Sequence, residues 1–274
     1  SQLARELLLS YAQLMTFDTA DYAWRIGYLF RENKVVGRGR TTEKSALKVA
    51  GGTPWQEAGT PAPNAGNGSA MRAGPIGLLF ADDPQALIAA AHDQGRITHT
   101  DPRCSGGAIA VAGAVALAFN NRTIEPGEFL QTLSQWTAPH SPVMADALLR
   151  LQDWLVLPPE KAVVFIARAG RPYKMQDPWP GISPYVVGSV LWSLYAFLRT
   201  PEDYFETICE AIAVGGDVDT TAAMAGAISG AHNGLSALPL DLARRLTDRG
   251  DWELDDLCNL AKAVYQTLKG APTP

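Results

Sequence analysis

The stretch "DPRCSGGAIAVAGAVALAF", residues 101–119, carries the reading that decides the fold class. Asp101 followed by Pro102 is a helix cap with proline in the first turn. The uncharged run from Gly106 to Phe119 falls short of the roughly 20 residues needed to cross a bilayer, so it reads as a buried helix. The same start recurs at Asp83-Pro84, ahead of "QALIAAAHDQ" (85–94). It recurs again at Thr200-Pro201-Glu202-Asp203, where a cap, a proline and two acids would open a helix carrying Tyr204, Phe205, Ile208, Cys209 and Ile212 on one face. Leu3, Leu7, Leu8, Tyr11, Leu14 and Met15 repeat at helical spacing, and residues 186–199 and 255–269 add further helices. Only "KAVVFIAR" (161–168) tempts a strand reading. The expected class is all-α, with residues 1–274 forming one domain.

Composition narrows the function classes. Hydrophobic residues make up 47% and charged residues 19% of the 274, an ordinary globular balance. A formal charge of -5 leaves no electrostatic footprint for nucleic acid, and Arg38-Gly39-Arg40 reads as a solvated or ligand-contacting patch. Cys104, Cys209 and Cys258 are odd in number and lack metal-like spacing, which predicts a reduced, cytoplasmic setting. No signal-peptide pattern opens the stretch, no membrane partner is expected, and a monomer is expected. Two irregular segments interrupt the helices. Residues 51–75 are rich in Gly and Pro and too long for a simple connection, and 168–184 reads as a lid or packed surface loop.

Chemistry concentrates in "AVGGDVDTTAAMAGAISGAHNG", residues 213–234. Gly215 and Gly216 admit backbone angles that other residues avoid, and so permit a sharp turn into a helix. Within a continuous helix Asp217 and Asp219 would point about 200° apart. At a helix entrance Asp217, Asp219 and Thr220 can instead converge, as hard oxygen ligands suited to Mg²⁺, Mn²⁺ or Ca²⁺. One acid capping the helix and one solvated acid is the competing reading. Gly226, Gly230 and Gly234 suggest close approach of another backbone and a place at the bundle's centre. "NAGNGSAMR" (64–72) offers a nest of N–H groups for an anion, with Arg72 free to pair with an acid or phosphate. His99, in "THTDP" (98–102), stands just before a helix N-terminus.

In this order the motifs resemble the ADP-ribosylglycohydrolase family, which includes the dinitrogenase-reductase-activating and ADP-ribosylhydrolase-like enzymes. Gly215, Gly216, Asp217, Asp219 and Thr220 are similar to its G-G-D-T-D-T motif. Gly66 to Arg72 resembles its G-N-G-x-x-M-R loop, and Thr98, His99 and Pro102 resemble its T-H-x-x-P step. "GRGRTT" (37–42) is similar to the segment ahead of the loop. The resemblance implies a single orthogonal multi-helix domain with long Gly/Pro-rich loops around a central cleft holding two Mg²⁺ (or Mn²⁺) ions. It implies hydrolysis of the N- or O-glycosidic bond between ADP-ribose and a modified acceptor. Asp217, Asp219 and Thr220 would be metal ligands. Gly66, Asn67, Gly68, Ser69, Arg72 and His99 would hold the phosphates and distal ribose.

Val218 departs from the family's threonine between the acids. The family's opening G-D-A-x-G helix and T-D-D-T/S motif, which supply about half of its metal ligands, are absent from the stretch. "SQLARELLLSYAQL" resembles the helix after that motif, with Ser1 in place of its last hydroxyl, so the expectation is a family member cut at its metal site. Two alternatives follow: an inactive ADP-ribose-binding module, or a helical domain whose motifs are only turns and caps. The partner is expected to be ADP-ribose or an ADP-ribosylated protein or small molecule, with nucleic acid only as a modified substrate. Tyr173, Trp179 and Tyr185 are expected to shape the cleft.

Overall fold

The computed structural model describes residues 2–172 and 177–270. Helices run in the order α1 (Gln2–Leu14), α2 (Thr19–Arg31), α3 (Arg40–Ala50), α4 (Trp55–Ala58), α5 (Gly74–Leu79), α6 (Pro84–Arg96), α7 (Pro102–Asn120) and α8 (Pro126–Thr137). They continue through α9 (Pro142–Trp154), α10 (Pro159–Ile166), α11 (Val186–Arg199), α12 (Tyr204–Ile212), α13 (Val218–Asn233), α14 (Leu240–Ala243) and α15 (Leu254–Gly270). Among the described residues there is no strand, only isolated bridges at Thr60–His99, Gly66–Tyr185 and Ile182–Gly216. The all-α expectation holds.

The axis of the fold is α7. Asp101 caps it by accepting from the Arg103 amide, and it is buried from Cys104 to Ala116. By length and composition this helix could span a bilayer, but it lies in the core, with α5, α6, α8, α9, α11 and α13 packed around it. Small residues make that crowding feasible, because helix axes can approach where side chains are short. The tightest approach is at Gly77 of α5, where a Cβ would stand 2.2 Å from the Ala112 carbonyl oxygen. Against the other side of α7 lies α11, buried from Val186 to Leu198. One core cluster extends from Leu3 to Val264.

Two local expectations need correction, and the one strand-like run resolves as the all-α reading expects. "KAVVFIAR" belongs to a helix, with Ala162 and Ile166 buried one turn apart while Val164 and Phe165 face solvent. That is a period of four behind an N1 proline, and it outweighs the β-branched pair. At 200–203 the cap is Asp203, which accepts from the Glu206 amide at 2.9 Å. Thr200 instead ends α11, its hydroxyl donating to the Ala196 carbonyl. Finally, α13 buries one face rather than forming the centre. Its Gly226 and Gly230 face the Tyr204 and Ile208 side chains rather than another backbone, and Gly234 is a C-cap at φ 74°.

Gly77→Ala is expected to cost about 2 kcal/mol or more, because the added methyl must displace α5 from α7. Gly230→Ala has room, its Cβ lying 3.7 Å from Tyr204, and is expected to be neutral or stabilising by up to about 1 kcal/mol. Urea unfolding midpoints of the two variants measure the contrast.

Candidate active site

The entrance to α13 is built by two glycines. Gly215 and Gly216 adopt φ of 75° and 96°, and a Cβ on Gly216 would overlap the Ile182 carbonyl at 2.0 Å. This close fit lets the Asp217 amide donate to the Ile182 carbonyl (2.7 Å) and the Ile182 amide to the Gly215 carbonyl (3.2 Å). Asp217 occupies the N-cap position, but its side chain caps no helical amide. Its Oδ2 accepts from Asn67 Nδ2 at 2.6 Å and its Oδ1 from the Thr220 hydroxyl at 3.2 Å. Asp219 is exposed, with its carboxyl beside that of Asp217. Burial, reinforced by Asp219, raises the Asp217 pKa above its ordinary 3.8, against the lowering by Asn67 and Thr220. The acids therefore converge as the helix-entrance reading requires, and neither forms an ion pair among the described residues.

Asn67 belongs to the glycine loop, and its two side-chain N–H groups reach both Asp217 and Ser189 Oγ (3.0 Å). Its amide donates to the Pro184 carbonyl, and the Val186 amide donates to the Ala65 carbonyl. Below the loop, Ser69 Oγ donates to the Cys104 carbonyl and the Cys104 thiol to the Gly66 carbonyl. Gln94 Nε2 donates to the Ser69 carbonyl, and Arg72 Nη1 to the Gly68 carbonyl. With these carbonyls held from beneath, the Gly68 and Ser69 amides are left without a protein acceptor among the described residues.

His99 lies under the same loop. It pairs across the Thr60 bridge and is 2% exposed, with Nδ1 2.8 Å from the Thr98 hydroxyl. A Cβ at Gly68 would sit 2.8 Å from His99 Cε1 and 2.8 Å from Thr42 Oγ1, so only glycine fits over the ring. Burial, helped by the Arg72 charge, pulls the His99 pKa down to about 3, and the imidazole is neutral at pH 7.

The three motifs thus meet around residues 66–68, yet not every residue serves as the sequence suggests. Arg72 is 1% exposed and its guanidinium is occupied by Gln94, Gly68 and Thr98, so it braces the loop from within. The Ser69 hydroxyl is buried on Cys104, so it too braces the loop. Tyr185 is buried, its hydroxyl donating to the Gly170 carbonyl, with Arg103 and Arg171 stacked on its ring. Trp179 is exposed, and Tyr173 lies outside the described residues. Ser189 and the Ile182 carbonyl escaped sequence reasoning, because a helix-interior serine and a backbone oxygen carry no motif. An open cleft of about 670 Å³ lies at the start of α7, lined by Asp101, Arg103, Ser141, Arg150 and Arg171.

Among the described residues no group of three or more His, Cys, Asp or Glu side chains gathers, so the carboxylate pair and Thr220 are the hard-donor set here. An all-α fold with a glycine loop, a buried neutral histidine and a carboxylate pair joined through one asparagine defines a class of cleft-bearing helical proteins. Within that class the chain belongs to the ADP-ribosylglycohydrolase family, whose model matches residues 1–273. It is 28% identical to ADP-ribosylhydrolase ARH3 of Xenopus tropicalis, over 91% of this chain and 78% of that protein. It is also 28% identical to an uncharacterized protein of Archaeoglobus fulgidus, over 94% and 76% of the two chains. A solved structure described as an ADP-ribosylglycohydrolase-related protein complex superposes with a TM-score of 0.71 at 26% identity, covering 97% of this chain and 80% of that one.

The raised Asp217 pKa has a stability consequence. Between pH 3.8 and its raised folded value, Asp217 binds more protons folded than unfolded. Its contribution to stability therefore falls as pH rises through that window and stays lost above it. In protein stripped of divalent cations, Asp217→Asn is expected to melt above wild type at pH 7. That advantage should vanish below a pH of about 3.8. Thermal unfolding followed by circular dichroism across pH checks both halves.

Proposed function

We propose that the protein hydrolyses the N- or O-glycosidic bond between ADP-ribose and a modified acceptor, using Mg²⁺, with Mn²⁺ as a substitute, held by Asp217, Asp219 and Thr220. The observation that carries this reading is the carboxylate pair of half-buried Asp217 and exposed Asp219, pressed together with no cationic side chain among the described residues to balance it. Two carboxylates and a hydroxyl fit a hard divalent cation. They supply fewer donors than two ions need, so the described residues fit part of a two-ion centre. When bound, such a cation would orient ribose hydroxyls and lower the pKa of a coordinated water.

The chain's own groups have distinct tasks in this proposal. The Gly68 and Ser69 amides are donors for phosphate oxygens. His99, neutral and buried, adds a donor without adding charge. Asn67 keeps the phosphate-facing loop in register with the acidic helix entrance, so the ligand's two ends are read by one rigid frame.

A second reading, an ADP-ribose-binding module without turnover, is favoured by one observation. Among the described residues no third acid joins the pair as a general acid or base. Free ADP-ribose released from arginine-, serine- and O-acetyl-linked substrates, measured by chromatography with Mg²⁺ and with chelator, separates the two. The expected result is release from at least one substrate, abolished by chelator and lowered at least about 100-fold by Asp219→Asn. Calorimetric binding of ADP-ribose without release from any substrate would support the module, and absence of both would reject both readings.

A further inference from the structure

Arg72 is a fully buried guanidinium with no carboxylate partner among the described residues. Burying an unpaired cation is costly, and such a cation persists where its hydrogen bonds impose something an apolar residue would not. Here the bonds are directional. Nε donates to Gln94 Oε1 (2.9 Å), Nη1 to the Gly68 carbonyl (3.0 Å), and Nη2 to both the Gln94 carbonyl (2.8 Å) and Thr98 Oγ1 (2.9 Å).

Guanidinium can only donate, so Thr98 Oγ1 must accept from Arg72. The hydroxyl's own proton then has one acceptor in reach, His99 Nδ1 at 2.8 Å. Thr98 is completely buried. If His99 carried its proton on Nδ1, two donors would converge on Oγ1 and the hydroxyl proton would be sealed without an acceptor. An unsatisfied buried donor costs more than a typical hydrogen bond contributes. A doubly protonated ring is opposed by burial and by the nearby Arg72 charge.

We propose that Arg72 and Thr98 are positioning residues that hold His99 in its Nε2–H tautomer, so that the face formed with Gly66 and Gly68 offers a neutral N–H donor to an oxygen of the ligand. Nε2 lies against the Gly66 and Gly68 backbone and has no hydrogen-bond partner among the described residues. The ligand half of this inference rests on the ADP-ribose reading above; the tautomer half does not.

Long-range proton–nitrogen correlation spectra of ¹⁵N-histidine-labelled protein, without ligand at pH 7, test the relay directly. His99 is expected to show an unprotonated Nδ1 and a protonated Nε2, assigned by loss of the signals in His99→Asn. Thr98→Val removes the donor to Nδ1 and should shift the ring toward the Nδ1–H form, whereas Thr98→Ser should restore the wild-type pattern. ADP-ribose affinity should fall about five- to tenfold in Thr98→Val and stay within about twofold in Thr98→Ser. Arg72→Met should reproduce the Thr98→Val spectrum where it folds; the threonine variants carry the test where it does not. An Nδ1–H ring in wild type, or a ring unmoved by Thr98→Val, would overturn the relay. An Nε2–H ring in a protein that binds no ADP-ribose would overturn the ligand assignment and leave the relay standing.

Discussion

The side-chain amide of Asn67 is the contact on which the site depends. Its two N–H groups are divided between Asp217 Oδ2 and Ser189 Oγ, and that hydroxyl lies in turn within reach of the Ser183 and Tyr185 carbonyls. One residue thereby locks together the glycine loop, the first turns of α11 and the entrance to α13, elements up to 150 residues apart in sequence. Because Asp217 is half-buried beside another carboxylate, the hydrogen bond to Asn67 also offsets part of the cost of keeping its charge. Position and electrostatics are therefore set by the same contact.

Beneath the loop, a second layer determines what the loop can present. Arg72, Gln94 and Cys104 take its carbonyls, while the Gly68 and Ser69 amides find no protein acceptor among the described residues. A buried arginine in this layer acts as a rigid multiple donor. Its fork reaches the loop, the end of α6 and Thr98 at once, so the Gly68 carbonyl and the His99 ring are referenced to one planar group. Glycine at 66 and 68 is the steric counterpart, since any side chain at 68 would collide with His99 or Thr42.

The helical frame supports these layers through α7. Its small residues allow neighbours on all sides to approach closely, and its capping residue Asp101 is also the partner of Arg103, which stacks on Tyr185. The start of the central helix, the histidine step just before it and the 182–186 segment are thus coupled through a short path of packed and charged groups.

Much of the fold was legible in the amino-acid order, for physical reasons. Asp-Pro starts announce α6 and α7 because the side-chain cap and the fixed proline angle are local. Apolar spacing announces α1 and α11 for the same reason. The paired glycines before Asp217 announced a turn that the backbone angles bear out. What sequence alone left open was every question of which polar group meets which. Whether Asp217 caps its helix or turns toward Asn67, whether Arg72 reaches outward or is buried under Gly68, and whether Tyr185 lines a cleft or a core all depend on contacts between distant segments. Local propensity decides where helices begin and end, because their hydrogen bonds lie within four residues. Only tertiary packing decides the partner of a side chain, because burial obliges each polar atom to find an acceptor or donor wherever the chain has brought one.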